Sequence, residues 1–570
     1  MRAADVTPNS HAWSDLALPT AWAAWLLVFA AFGLQGFNLR EDGYLLTLGG
    51  RMARGEVPYR DFSYIRPPLP IAIQAALLEA VPGYGVAASR WYFAGQVGVI
   101  LTVVYALLSR LVASRWNRAA LAFLASVVAF TGGFPAMPWH TIDGIFFAAL
   151  ATWALVVGAE RRSLGLVFVA GLLAGAAVLS KQGFLVVAAA GLVLCLNGHG
   201  RRIGRRAWAA ALAYAAGGGL IGGAALLCLA EYGALRASAE AILFSPRELT
   251  RDDLHRSIFD LVVGVHLPSV RGAAFGLLLV ALVTLRMPGL ARICLGAAGL
   301  LWVCGAFWLA RSIPETYRTL LVEPIHTSAW LGGLGLLAWQ TAGRFRLAPS
   351  VTWGLGLGLA TLYAAGWSYE AIRSAVLALA LPLPLVLMGL ATAGAAGGVE
   401  RGPRFAAGCI LMYAGVLSLA LHIAVPYLDG PRGDLTVPFT TDRLSGIRSS
   451  PRRARGVDGV VALVRRETTA QDYVLTFMDF PSFYFLTDRR NATRVDWFLS
   501  QELTIVERDR ALADLRARPP RLVILAAFDP LNMVANARLR PILGYILAHY
   551  EKAEAIGEFL VFRPRSPTAQ

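Results

Sequence analysis

The stretch Asn38-Leu39-Arg40-Glu41-Asp42-Gly43-Tyr44 decides how this chain is read. It follows directly on an apolar run, Trp22 to Phe37, which with slight extension is long enough to cross a bilayer. The two acids therefore sit just outside the hydrocarbon. Charges left unpaired near lipid are costly, so adjacent carboxylates at a helix exit either face water or line a cavity and do chemistry. The stretch continues as Gly55-Glu56-Val57-Pro58-Tyr59-Arg60-Asp61-Phe62 and Arg66-Pro67-Pro68-Leu69 before the next apolar run.

Composition sets the class. The 570 residues are 56% hydrophobic and only 15% charged, and the mean hydropathy is +0.56, which is the balance of a polytopic α-helical membrane protein. The net charge of +16 raises the question of nucleic acid. No basic domain with aromatic or motif support stands behind it, and the arginines fall in short loops between apolar runs, so membrane lipid is the expected partner and no nucleic acid is. Cys195, Cys228, Cys294, Cys304 and Cys409 all lie in apolar segments and read as small hydrophobes, not as a disulfide framework. The N-terminus lacks a cleavage pattern, so the first apolar segment is expected to be a retained span.

Outward from the first loop, apolar runs fall near 20–37, 91–109, 119–134, 142–159, 163–179, 183–197, 207–230, 272–285, 293–310, 328–341, 350–367, 374–392 and 405–425, an expectation of about 13 transmembrane helices. Alternate connections are arginine-rich, among them Arg110, Arg115 and Arg118, Arg161 and Arg162, Arg201 to Arg206, and Arg401 and Arg404. The positive-inside rule places these in the cytoplasm, and the longer mixed-sign loops outside. Two domains are expected: residues 1–428 as the transmembrane domain, with interface helices within 38–90 and 231–271, and 429–570 as a small outer α/β domain. Strands are read at 472–477, 521–526 and 558–563, and helices at 457–467, 499–518 and 535–550. Short amphipathic helices are expected at 43–54, 70–81 and within 236–262.

Several groups on the outer side could do chemistry. A carboxylate of the Glu41/Asp42 pair beside apolar surface gains proton affinity unless an arginine offsets it, which makes it a candidate general base. The bland alternative is a pair of acids at the start of the helix after Gly43. In Trp139-His140-Thr141-Ile142-Asp143-Gly144, Asp143 either faces a polar interior or caps a helix beginning at Gly144. Lys181 is conspicuous, because the chain's only other lysine is Lys552. It binds an anion or snorkels to the interface. Arg60, Arg66, Arg247, Arg251, Arg256, Arg271, Arg311 and Arg318 are outward arginines whose forks suit phosphate. There is no P-loop, dinucleotide fingerprint, nucleophile elbow or zinc spacing.

Taken together, these stretches resemble the GT-C superfamily of polyprenyl-phosphate-sugar-dependent glycosyltransferases, and within it the family 39 type that includes lipid A aminoarabinose transferases and protein mannosyltransferases. The residues that carry the resemblance are Glu41-Asp42-Gly43-Tyr44, the segment Gly55 to Asp61, Arg66-Pro67-Pro68-Leu69, Ala88-Ser89-Arg90, Asp143, and Gly171-Leu-Leu-Ala-Gly175 running to Ser180-Lys181. The family order is Asp then Glu before the glycine. Here it is reversed, and either Glu41 or Asp42 is the base.

The resemblance implies a GT-C fold and inverting transfer of a sugar from a polyprenyl-phosphate donor to a lipid-linked, glycan or protein acceptor. The active site and the C-terminal domain would be periplasmic, on a bacterial inner membrane. Asp42, Glu41 and Asp143 would be catalytic, while Lys181, Arg60, Arg66, Tyr59, His140, Arg251, Arg256, Arg311 and Arg318 would bind substrate and its phosphate. A divalent cation (Mg, Mn or Ca) on Glu41, Asp42, Asp143 and His140 is an alternative; no other cofactor is expected. The rival readings are a transporter or flippase of lipid-linked sugars and a non-catalytic glycan-binding scaffold.

Overall fold

The computed structural model describes residues 16–131, 136–197, 204–244, 323–341, 347–366, 376–394, 401–424, 429–478, 480–498, 503–526 and 538–565. The helices of the first part are α1 (Ala17–Phe32), α2 (Tyr44–Ala53), α3 (Leu69–Ala80), α4 (Val86–Leu108), α5 (Arg115–Thr131), α6 (His140–Glu160), α7 (Leu164–Ser180), α8 (Leu185–Asn197), α9 (Arg205–Glu231), α10 (Leu235–Ala239), α11 (Glu323–Thr341), α12 (Pro349–Gly366), α13 (Pro382–Gly394) and α14 (Arg401–Ala424). Among the described residues, α4, α6 and α9 are long and apolar enough to cross a membrane. The apolar runs expected at 272–285 and 293–310 lie outside the described residues; the others coincide with helices. The run at 374–392 is split. A 3₁₀ turn, Leu377–Ala380, precedes Pro382, whose missing N–H is tolerated only where a helix begins.

α6, α7 and α9 form a layered stack, with α4 and α12 against α6. The α7–α9 crossing is close because it is made of glycine. A Cβ on Gly171 would lie 2.0 Å from the Tyr214 carbonyl oxygen, and one on Gly217 would lie 2.1 Å from that of Phe168. Small residues let helix backbones approach where lipid supplies no hydrophobic drive.

The first loop carries α2 and α3, which pack on each other near their expected positions. Of the helical pair expected within 236–262, α10 passes into a π-helical turn at Glu240–Phe244, and the remainder lies outside the described residues.

The C-terminal part is α/β. Its helices are α15 (Pro451–Glu467), α16 (Ser482–Thr487), α17 (Ile505–Ala517) and α18 (Arg540–His549). β1 (Val437–Pro438) and β2 (Arg448–Ser449) form a small antiparallel pair. The main sheet contains β3 (Tyr473–Thr476), β4 (Arg490–Asn491), β5 (Leu522–Ala526), β6 (Tyr550–Ile556) and β7 (Phe559–Pro564), in the order β4-β3-β5-β7-β6. β3 runs parallel to β4 and β5, and β7 antiparallel to β5 and β6.

This unit does not stand off from the first loop. One hydrophobic core unites Phe37, Leu39, Leu46, Tyr84 and Val86 with Phe439, Ile447, Phe483, Tyr484 and Phe559. The backbone just after α1 joins in: Gly36 N–H donates to the Arg448 carbonyl at 2.7 Å, and Arg448 N–H donates to that of Leu34 at 3.1 Å. The loop 38–90, assigned from sequence to the membrane domain, therefore buries its apolar face in the C-terminal unit.

Candidate active site

The acid pair is divided. Asp42 is buried, and its carboxylate meets Arg90 in the first turn-and-a-half of α4, with Nη2 donating to Oδ2 at 2.7 Å and Nε to Oδ1 at 3.2 Å. Arg90 also donates to the carbonyls of Gly33 at 2.9 Å and Gly36 at 2.8 Å, so a single guanidinium gathers the end of α1 and the acid turn. Asn38 N–H donates to Asp42 Oδ2 at 2.8 Å. Glu41, half-buried, accepts from Asn38 Nδ2 at 2.8 Å. Neither acid caps α2, whose N-cap is Gly43 with no side-chain cap.

Asp143 corrects a second alternative. α6 begins at His140, with Trp139 as its N-cap, so Asp143 lies in the first turn and does not precede the helix. Its side chain is fully buried against α4, where Oδ1 accepts from Gln96 Nε2 at 2.6 Å and from the Tyr92 hydroxyl at 3.3 Å. Oδ2 has no protein partner among the described residues.

Lys181 does not snorkel. It is buried at the junction of α7 and α8, and its Nζ donates to Thr141 Oγ1 at 3.3 Å and to the Ala365 carbonyl at 3.2 Å. Thr141 adjoins His140, which is buried with both ring nitrogens lacking a partner among the described residues. The Arg66 guanidinium is close enough to act electrostatically on both His140 and Lys181. The Tyr59 hydroxyl donates to the Arg66 carbonyl at 2.6 Å and fixes that turn. Burial pushes the Tyr59 phenol's pKa up, which keeps it a neutral donor.

Aromatic rings join the two halves. Tyr44, two residues past Asp42, lies 6.0 Å from Trp139 and 5.0 Å from Trp497, centroid to centroid, and Trp139 lies 4.6 Å from His140. Trp497 belongs to the C-terminal unit, so this wall is built from both parts of the chain.

Other expected site residues fall elsewhere. Arg60 is exposed and forks onto neighbouring Asp61, with Nε donating to Oδ1 at 2.9 Å and Nη2 to Oδ2 at 2.8 Å. Arg251, Arg256, Arg311 and Arg318 lie outside the described residues. The proposed metal donors do not converge: Asp42 is committed to Arg90, Asp143 to Gln96 and Tyr92, and no group of three or more His, Cys, Asp or Glu able to hold an ion stands together among the described residues. Sequence reading missed the role of Arg90, although an arginine in the first turns of an apolar helix is itself a signal.

No family model matches the chain, and no curated protein does. Among solved structures, the chain is similar to ArnT from Cupriavidus metallidurans bound to undecaprenyl phosphate, at 14% identity over 98% of this chain and 99% of that one, with a TM-score of 0.44. It is also similar to the archaeal oligosaccharyltransferase AglB from Archaeoglobus fulgidus in complex with an inhibitory peptide and a dolichol-phosphate, at 14% identity over 98% and 75%, TM-score 0.46. A third is the Archaeoglobus fulgidus oligosaccharyltransferase tethered to an acceptor peptide, at 12% identity over 95% and 72%, TM-score 0.47.

Proposed function

We propose that this chain is an inverting glycosyltransferase that moves a sugar from a polyprenyl-phosphate donor to a lipid-linked, glycan or protein acceptor at the periplasmic face of a bacterial inner membrane. The observation that carries the reading is the division of the acid pair. Arg90 binds Asp42, and Glu41, which accepts from Asn38 Nδ2, sits on the same turn, next to an aromatic wall that leads to His140.

In this reading Glu41 is the general base. The acceptor hydroxyl gives its proton to the Glu41 carboxylate as its oxygen bonds to the anomeric carbon. The bond from that carbon to the phosphate oxygen breaks on the opposite face, and the electron pair leaves with the lipid phosphate. Lys181 and Arg66 neutralise the charge that develops there, and the ring N–H of His140 offers it a hydrogen bond. General-base help contributes about 10²- to 10⁴-fold. Asp143, held by Gln96 and Tyr92, keeps one oxygen for a substrate hydroxyl. No step is routed through a metal, because the donors do not meet.

The test uses the full chain in nanodiscs with a bacterial envelope extract as the source of acceptor and a panel of undecaprenyl-phosphate hexosides and pentosides radiolabelled in the phosphate. Glu41→Gln loses release of undecaprenyl phosphate but still binds it. A Glu41→Gln protein that releases it at the wild-type rate would contradict the base assignment. Unaltered flux of labelled glycoside into sealed proteoliposomes carrying that variant would instead favour a transporter.

A further inference from the structure

Ser482 opens α16 in the C-terminal unit and is completely buried. Its hydroxyl crosses into the first loop, where it accepts from Gly43 N–H at 3.1 Å and donates to the Leu39 carbonyl at 2.6 Å. Leu39 and Gly43 flank Arg40-Glu41-Asp42. One oxygen atom from the other end of the chain therefore bridges the two ends of the turn that carries the acid pair. The approach is so close that a Cβ on residue 43 would lie 2.6 Å from the Cα, Cβ and Oγ of Ser482, which explains why the residue after the acids is glycine. Backbone bonds that reach one residue past each end of the bridge brace the turn further: Asp42 N–H donates to the Asn38 carbonyl at 3.0 Å and Tyr44 N–H to that of Glu41 at 3.1 Å.

We infer that Ser482 is a positioning residue for Glu41, so that the C-terminal domain governs turnover by fixing where the base stands. The inference rests on the reading of Glu41 as general base. Its physical ground is that the hydroxyl satisfies one backbone donor and one backbone acceptor in a dry interface, where an unmet group is costly. Without it the turn settles on other partners and the carboxylate moves. A misplacement of about 1 Å is worth about 10²-fold in rate.

A neighbouring contact supplies the control. Thr47 Oγ1 donates to the Pro481 carbonyl at 2.9 Å, one residue before Ser482, and holds the same two surfaces together without touching the acid turn.

The experiment compares Ser482→Ala, Ser482→Cys, Thr47→Val and Glu41→Gln in full-length protein in nanodiscs. It reads release of undecaprenyl phosphate from the radiolabelled glycoside panel and hydrogen–deuterium exchange of the peptide spanning 38–46. Ser482→Ala should lower kcat about 10- to 100-fold with KM nearly unchanged and speed exchange in 38–46, while Thr47→Val should stay within about threefold of wild type. Ser482→Cys keeps a weak donor and acceptor of similar size and should lie between wild type and Ser482→Ala; it substitutes for Ser482→Ala if that variant does not fold. Unchanged exchange in 38–46, unchanged kcat, or equal losses in Ser482→Ala and Thr47→Val would each overturn the inference. If Glu41→Gln retains full activity, the base reading fails. If Glu41→Gln is inactive and Ser482→Ala is not impaired, the positioning inference alone fails.

Discussion

Asp42 and Arg90 form a two-point ion pair with side chains 0% and 1% exposed, reaching 48 residues from the first loop into α4. Removing one partner of such a pair leaves the other charge stranded, at a cost of about 3–5 kcal/mol. Asp42→Asn should therefore melt well below wild type, whereas Glu41→Gln, whose acid is only half-buried, should melt with wild type yet lose about 10²- to 10⁴-fold in turnover. Thermal melts set beside the release assay separate the two acids. An Asp42→Asn protein as stable as wild type would show that the pair does not hold the loop.

Lys181 invites a different measurement, because its ammonium is held by a hydroxyl and a carbonyl, with no carboxylate bonded to it among the described residues. A hydrogen bond to a charged group is worth about 1.5–3 kcal/mol, so Lys181→Met should weaken binding of undecaprenyl phosphate about 10- to 100-fold. Lys181→Arg should not restore it, since a flat fork does not fit a slot shaped by Thr141 and Ala365 around a compact head. Quenching of tryptophan fluorescence, with Trp139 beside the site, gives the titration. Equal affinity in Lys181→Met and wild type would remove Lys181 from the phosphate site.

The parts of this arrangement that were legible in the sequence are those that depend on neighbours in the chain. Apolar runs gave most helices, and the acids at the exit of the first run marked the loop. α2 and α3 follow from local patterning. Long-range pairing was not legible: nothing near Arg51 or Gly43 announces Asp496 or Ser482, more than 400 residues on. β6 was missed for a related reason. Tyr550-Glu-Lys-Ala-Glu-Ala-Ile is a charged strand, mostly exposed and, among the described residues, at the sheet edge beside β7, and its composition continues the helical pattern of α18. For Asp143 the sequence allowed two readings, because an acid one residue before a glycine can also be a cap; the cap reading fails because the helix starts a turn earlier.

The C-terminal unit carries an acid-sensitive clasp. Arg563 on β7 forks onto Glu467 at the end of α15, with Nε to Oε2 at 2.9 Å and Nη2 to Oε1 at 2.8 Å. The hydrogen bond from Arg563 is the main cause that holds the Glu467 carboxyl below its ordinary value of 4.5. A carboxylate with a depressed folded pKa adds stability that is complete above the unfolded value and is lost as pH falls through the folded one. Glu467→Gln should therefore melt below wild type at pH 7, and the gap should begin to close as pH drops below 4.5, the unfolded reference, and vanish only below the lower folded value. A gap that stayed constant from pH 7 to pH 3 would mean that the clasp contributes nothing.

Arg51 and Asp496 tie α2 to the C-terminal unit, and the two ends of this bond are not equivalent. Asp496 takes Arg51 Nη1 on both oxygens, at 3.0 and 2.9 Å, and has Asn491 Nδ2 at 3.0 Å as a further donor. Arg51, by contrast, also binds Glu56, with Nε to Oε2 at 2.8 Å, and donates to the Asp61 carbonyl at 3.2 Å. Asp496→Asn thus leaves the guanidinium with a second carboxylate, while Arg51→Met leaves Asp496 buried with an amide as its donor. The loss in Arg51→Met should be about 3–5 kcal/mol and that in Asp496→Asn about 1–3 kcal/mol. Burial already holds the Asp496 carboxyl above its usual range in the intact protein, and removing Arg51 raises it further. An acid with a raised folded pKa binds more protons folded than unfolded, so the penalty grows as pH rises through the carboxylate range and shrinks as it falls. Melts of Arg51→Met at pH 7 and pH 5 should accordingly show a smaller deficit at the lower pH, with Asp496→Asn changing less between the two. A deficit in Arg51→Met that is independent of pH, or smaller than that of Asp496→Asn, would place the stabilisation in the stacking of the Arg51 guanidinium over the Phe62 ring instead of in the charge pair.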